Sequence, residues 1–428
     1  MSWQLSVVCY KIVPVMRLIS DLHIHSRFSR SCSQDLTLPN IAKACERKGI
    51  QWVATGDALH PAWRKEIGES LEPRDGAYYL KDGSSKSAFC LSTEVSCIYK
   101  RGGKTRRLHH VILFPDLAAV DASIRALEER KVNLKSDGRP IMGLDSENLL
   151  KILLEIDERI MFIPAHAWTP WFAIFGSKSG FDSIQECFGD LSEHIHAIET
   201  GLSSDPPMNW RVSALDAVML VSNSDAHSCA NLGREANVFE MERPDFMELR
   251  RILIERDTSK FVETLEFFPE EGKYHVDGHA TCGYWCEPEQ TKKMKGLCPK
   301  CGKALTVGVL SRVADLADRE PRPPQPKGAV PYRSLVPLAE LVADALGKGK
   351  TSKIVKQTAD KILEHASEFD VLLNVQEAAL RDLTLPEIAD AILRVRRGEV
   401  DIRPGYDGVF GEVRVKGISK RAAQQAML

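Results

Sequence analysis

Two short motifs carry the chemistry that this sequence can do. His23-Ile24-His25 and Asp225-Ala226-His227 each place two metal-binding side chains two residues apart. Residues so spaced in extended chain project to one side, so each pair can address a single point. Asp57, His60, Glu94, His110 and His166 add nitrogen and oxygen donors, and no cysteine lies among them. Imidazole with carboxylate suits Zn²⁺ or Mn²⁺. Nine donor residues exceed the needs of one ion. The set therefore implies two or three divalent metals (Zn, Mn or Mg) joined by bridging carboxylates, which suits displacement at phosphorus. Asp225 is assigned the central bridge and proton acceptor, with His227 and Glu94 as its catalytic neighbours. His109 and His110 share a strand, alternation turns only one inward, and His110 is the one assigned.

The donors fall at the ends of short apolar runs. Strands are expected at 17–22, 51–55, 88–93, 108–114, 160–164, 195–199 and 218–222. Helical patterns at 38–48, 118–129, 146–158, 184–188 and 209–216 separate several of them. Strand–helix alternation predicts an α/β fold with largely parallel strands, closed into a distorted seven-stranded barrel with its site at the C-terminal strand ends. One hairpin interrupts the pattern, turning at Gly102-Gly103.

Composition sets the outer limits. The 428 residues, 43% hydrophobic and 27% charged, are ordinary for a globular chain of two or three domains, which excludes a disordered or fibrous protein. A net charge of −2 excludes neither a metal enzyme nor a protein with local basic patches. No apolar run is long enough for a membrane span, and the N-terminus lacks the build of a signal peptide. Eleven cysteines, four of them between 282 and 301, point to a reduced cytoplasm and one metal knuckle. Cys282-x₃-Cys286 and Cys298-Pro-Lys-Cys301 have zinc-ribbon-like spacing, so these four thiols are assigned one structural Zn²⁺, with His275 and His279 as nearby rivals. The expected divisions are a poorly structured extension at 1–15, the barrel at 16–271, the zinc domain at 272–318, a Pro-rich linker at 319–337 and a helical domain at 338–428.

At Ser20-Asp21-Leu22-His23-Ile24-His25, Thr55-Gly56-Asp57, Pro164-Ala165-His166 and Ser224-Asp225-Ala226-His227 the chain resembles the PHP superfamily of metal-dependent phosphoesterases. The run Ala165-His166-Ala167-Trp168-Thr169-Pro170-Trp171-Phe172, the following 175–183, the knuckle and Pro404-Gly405-Tyr406-Asp407-Gly408 resemble the endonuclease Q family. That resemblance, from Met16 onward, implies a DNA repair endonuclease. It would cut 5′ to a deaminated base (uracil, hypoxanthine, xanthine) or abasic site with a metal-activated hydroxide, leaving 3′-hydroxyl and 5′-phosphate ends. The expected partner is lesion-bearing duplex DNA, and the expected location the nucleoid in the cytoplasm. Two residues separate Asp57 from His60, where many PHP proteins have them adjacent. The C-terminal Gln424-Gln425-Ala426-Met427-Leu428 lacks the paired aromatics of a sliding-clamp motif, so a clamp partner is not carried over. Trp168, Trp171 and Phe175 are candidates for stacking on a flipped base. Ser177, Lys178 and Ser179, and the basic run with Arg101, Arg106 and Arg107, are candidates for phosphate contact. A phosphatase for a small phosphate ester would explain the barrel but not the knuckle or helical tail. A non-catalytic DNA-binding protein would not need so full a donor set.

Overall fold

The computed structural model describes residues 15–417. Residues 1–14 and the C-terminal Gln424–Leu428 sequence lie outside that range. The chain is mixed α/β around a central sheet. Its strands are β1 (Met16–Asp21), β2 (Trp52–Ala54), β3 (Leu71–Arg74), β4 (Ala77–Leu80), β5 (Ala88–Arg101), β6 (Lys104–Phe114), β7 (Ile141–Met142), β8 (Met161–Pro164), β9 (Ala197–Glu199), β10 (Met219–Val221), β11 (Ala236–Met241) and β12 (Phe261–Glu266).

Each of the seven expected runs is a strand. β1, β2 and β5 pair in parallel. β6 pairs antiparallel with both β5 and β8, so the sheet is more mixed than alternation alone predicts. The long β5–β6 hairpin causes this, because the next strand must run antiparallel to β6. Its tip needs left-handed backbone at two successive residues, and Gly102 and Gly103 supply φ of 61° and 74°. β9 and β10 form their own parallel pair. A lone parallel bridge between Ile24 and Ala226 joins the end of β1 to the loop after β10. β11 and β12 extend β1 on its other side with antiparallel pairing. No strand was expected at either place, although both lie within the expected barrel at 16–271.

Two apolar layers hold the sheet. Leu18, Cys90, Leu113, Met161 and Val221 belong to one cluster. Ile41, Ile112, Phe114, Leu150, Phe162 and Phe188 belong to the other, with the helices. Helix Leu38–Lys48 has the expected bounds, and Asp116 and Asp145 cap Leu117–Glu129 and Ser146–Ile156 through their side chains. The region expected to be helical at 209–216 is instead a short helix, Pro206–Asn209, and a 3₁₀ turn, Ser213–Ala217.

After β12, β13 (Asp277–His279) and β14 (Tyr284–Cys286) form the knuckle hairpin. The Pro-rich stretch is not a free linker. Arg319 pairs with Asp216, Val330 enters the core, and β15 (Tyr332–Ser334) pairs with β12. Helices Leu338–Leu346, Lys353–Ile362 and Pro386–Arg396 pack with the small sheet of β16 (Val400–Arg403) and β17 (Glu412–Val415) in a separate apolar cluster. Among the described residues no helix is long and apolar enough to cross a membrane.

Trp63 links the fold to the site. It is fully buried on helix Pro61–Ser70, and its Nε1 donates to the carbonyls of Thr55 (3.2 Å) and Gly56 (2.9 Å), just before Asp57. Trp63→Phe keeps the apolar bulk and loses the donor. It should destabilise the protein by about 1–3 kcal/mol in urea unfolding, since two buried carbonyls lose a partner.

Candidate metal centre

The Ile24–Ala226 bridge explains how the two i, i+2 motifs meet. Because the pairing is parallel, His23 and His25 flank one bridging residue while Asp225 and His227 flank the other. The His25 ring lies 4.6 Å from that of His227, and its Nε2 is 3.1 Å from Asp225 Oδ1. Glu94 reaches the same point from β5, on the strand face it shares with Cys90 and Ser92.

Glu94 is the shared residue. Its Oε2 lies 3.2 Å from His25 Nε2 and 3.7 Å from His23 Nε2. Its Oε1 lies 2.6 Å from His109 Nδ1 and 3.2 Å from His166 Nε2. Two donor groups therefore converge on one carboxylate: His23, His25, Glu94 and Asp225, and beside them Glu94, His109 and His166. Asp225 belongs to one of these groups and Glu94 to both.

Buried carboxylates fix the imidazoles from behind. His23 Nδ1 is 3.0 Å from both oxygens of Glu199, and His25 Nδ1 is 3.1 Å from Asp57 Oδ1. With Nδ1 engaged as donor, each ring turns its Nε2 lone pair toward Glu94. His23 Nε2 is buried and has no hydrogen-bond partner among the described residues. A buried orphan acceptor is costly unless something else satisfies it, and a cation held by these donors would do so. The local field agrees. Burial alone would lower the His23 and His25 pKa values, yet the surrounding carboxylates hold both well above the ordinary imidazole value. The pocket thus favours positive charge, and the residues present fit divalent metals.

Several expectations change at this site. His110 faces the other way, packing 4.6 Å from Phe162 with Nε2 2.8 Å from Ser146 Oγ. Val111 pairs with Glu94 across β5–β6, so His109, two residues before Val111, shares the Glu94 face and His110 cannot. Asp57 lies behind His25 rather than in either donor group, its other oxygen taken by Ser26 and Ser29. His60 caps helix Pro61–Ser70, accepting from the Trp63 amide, and stacks on Phe28 at 4.5 Å. His227 sits half-buried at the mouth, Nδ1 on the Asp225 carbonyl at 2.8 Å. Asp57, His166 and Asp225 all have left-handed backbone, with φ of 49°, 30° and 47°. Strain of this kind at three non-glycine residues is characteristic of built sites.

Arg139 carried no signal in the sequence. Its guanidinium donates to Glu94 Oε2 at 3.0 Å. Gly138 makes this approach feasible, because a Cβ there would collide with Asp57 and Ser29. Burial would raise the Glu94 pKa, but His109 and Arg139 hold it well below the ordinary range.

Comparison with known proteins fits this geometry. The crystal structure of the lesion-specific endonuclease PfuEndoQ from Pyrococcus furiosus superposes with a TM-score of 0.84 at 34% identity, covering 95% of this chain and 97% of that one. Endonuclease Q bound to a 27-mer duplex with an abasic lesion gives 0.81, again at 34% identity, covering 95% and 98%. The chain belongs to the endonuclease Q family. An uncharacterized protein of Methanocaldococcus jannaschii is 32% identical over 259 residues, 59% of this chain, and this match spans about a third (32%) of that relative's length. The Bacillus subtilis protein YqxK is 28% identical over 93% of this chain and 99% of its own. Residues 337–399 match the family model of the MJ0043 C-terminal domain.

In this endonuclease Q family chain the candidate donors in the knuckle are His279, Cys282, Cys298 and Cys301. Cys286 is left out, its Sγ 3.2 Å from Thr291 Oγ1. Cys282 ends a turn, and the chain then runs extended through β14. Each extended residue advances roughly 3.3 Å, which carries Cys286 away while the paired strand brings His279 back. Three thiols and one imidazole suit structural zinc as well as four thiols do.

The candidate DNA contacts also divide. Trp168 and Phe175 are buried against each other, ring centroids 4.9 Å apart, and Trp168 Nε1 donates to Asn209. They build the loop rather than meet a base. Trp171 is exposed, as are Ser177 and Lys178. Ser179 is buried and donates to the Arg107 carbonyl. Arg101 is neutralised by Asp145 and Glu147, and Arg106 donates to the Gly180 carbonyl above the Phe181 ring, so neither is a free phosphate contact. Arg312 donates to the Phe175 and Phe181 carbonyls and pins the loop from helix Val309–Leu316.

Glu199→Gln should weaken active-site metal binding by about 10- to 100-fold in calorimetric titration, because the His23 clamp is lost. Zinc content by elemental analysis should fall in His279→Ala and persist in Cys286→Ser.

Proposed function

We propose that this chain is a DNA repair endonuclease that hydrolyses the phosphodiester 5′ to a deaminated base (uracil, hypoxanthine or xanthine) or abasic site, leaving 3′-hydroxyl and 5′-phosphate ends. The observation that carries this reading is the shared Glu94: two donor groups on one carboxylate, in a chain related end to end to lesion-specific endonucleases. On this reading β1, β2, β5, β6, β8, β9 and β10 are the seven strands of a distorted PHP barrel spanning 16–271. A zinc domain at 272–318 and a helical domain from 338 follow it. Location with the nucleoid in the cytoplasm follows from the substrate.

His23, His25, Glu94 and Asp225 would hold one divalent cation, and Glu94, His109 and His166 a second. Bound there, Zn²⁺ or Mn²⁺ supplies Lewis acidity, lowering the pKa of water and offsetting charge on the phosphate. The protein's own groups do the rest. Glu199 and Asp57 keep both imidazoles aimed. Asp225, half-buried at the mouth with His227 beside it, would accept a proton from the attacking water. Arg139 uses one N–H on Glu94 and can turn others to a non-bridging phosphate oxygen, a charge-assisted contact. Asn237 and Asn223 extend the support behind Glu199.

Asp225→Asn should melt like the wild type yet nick about 100- to 1,000-fold more slowly. The assay uses end-labelled duplexes with uracil, hypoxanthine, an abasic site or no lesion, with Mn²⁺ or Zn²⁺ present. Lesion-dependent nicks on the 5′ side are expected from the wild type. Hydrolysis of small phosphomonoesters alone would overturn the reading.

A further inference from the structure

Pairwise aromatic and cation contacts run through segments beside the metal centre, the knuckle and the C-terminal turn. Phe172 packs 4.6 Å from His109. Its neighbour Trp171 is 45% exposed and meets Tyr274 edge to face at 6.2 Å. Next to Tyr274, the Lys273 ammonium lies 4.4 Å from the centre of the Phe410 ring. Phe410 is 67% exposed, more than any other large apolar side chain among the described residues. Lys178, exposed, flanks the near end, its amide bonded to the Pro170 carbonyl.

The C-terminal turn is held in place. Tyr406 is buried in the notch that Gly278 leaves, where a Cβ would clash with it. Asp407 accepts from the Ala280 amide (2.6 Å) and Thr306 Oγ1 (2.5 Å). Gly405 and Gly411 lie against the backbone at Glu270–Gly272, and Gly408 donates to the Lys273 carbonyl at 3.0 Å. A turn this well tied has no folding need to present an aromatic ring to water.

Aromatic rings alternating with cations along a track are what a nucleic-acid strand uses, because every base has a face to stack and every linkage a charge to meet. We propose that Trp171, Tyr274 and Phe410, with Lys178 and Lys273, form a second contact surface for the DNA substrate. The rings take unstacked bases beside the lesion and the two lysines take the flanking phosphates. This rests on the endonuclease reading and extends it from the metal centre across the knuckle to the C-terminal turn.

The test is steady-state nicking of a 30-mer abasic duplex by the full-length, metal-loaded protein. Phe410→Ala and Trp171→Ala are expected to raise KM by about tenfold or more, the range that loss of one stacked base gives. They should raise KM more than they lower kcat. Phe410→Trp restores KM, and Phe410→Ala leaves the melting temperature unchanged because the ring is exposed. Lys273→Ala lowers the slope of log KM against log salt by about one. An unchanged KM in Phe410→Ala, with the wild type active, overturns this surface and leaves the endonuclease reading standing. So does a concentration-dependent dimer in sedimentation that Phe410→Ala abolishes without affecting KM, because the surface would then serve a second copy. A wild type that neither binds nor nicks the duplex overturns both.

Discussion

Two contacts between a buried carboxylate and an imidazole, Glu199 on His23 and Asp57 on His25, set what the rest of this molecule can do. Each takes up Nδ1 and leaves Nε2 turned toward Glu94. Without them the rings would be free to choose the other tautomer, and the donor set would not converge. The contacts also concentrate negative charge in a fully buried pocket. Such an arrangement is unstable unless positive charge fills it, and the same carboxylates hold the His23 and His25 pKa values above the ordinary imidazole value. Metal binding needs both Nε2 atoms unprotonated, so affinity and pH are linked.

The surrounding structure serves these contacts. The Ile24–Ala226 bridge brings the two motifs into register. Glu199 is itself tied to Asn223 and to the His166 amide, so one carboxylate positions both the first histidine and the strand end that carries another. Trp63 holds the carbonyls before Asp57, and Gly138 lets the Arg139 loop close over it. Left-handed backbone at Asp57, His166 and Asp225 marks where the chain bends to aim two donors and the carboxylate behind His25.

Much of this was legible in the sequence. The i, i+2 motifs and the strands that carry them follow from local spacing, and His166 from its place at a strand end, whereas Glu94, expected just past its strand, lies within β5. What was not legible depends on pairing. Choosing His109 over His110 needs the β5–β6 register, which places Val111 rather than His110 opposite Glu94. Separating Asp57 from the donors needs the direction of its carboxylate. Arg139 sits in a loop with no periodicity, and β11 and β12 pair antiparallel beside β1, which a pattern of parallel strands does not predict. Trp168 and Phe175 read as base-stacking residues because they neighbour His166, but only the fold shows them turned into the core.

The most direct test of this account is anomalous diffraction from crystals of the metal-loaded protein. Peaks should lie about 2.0–2.2 Å from the Nε2 atoms of His23 and His25 and, separately, close to His109 and His166, with Glu94 between them. Ions bound instead through Nδ1 of His23, or through His110 or His60, would contradict it.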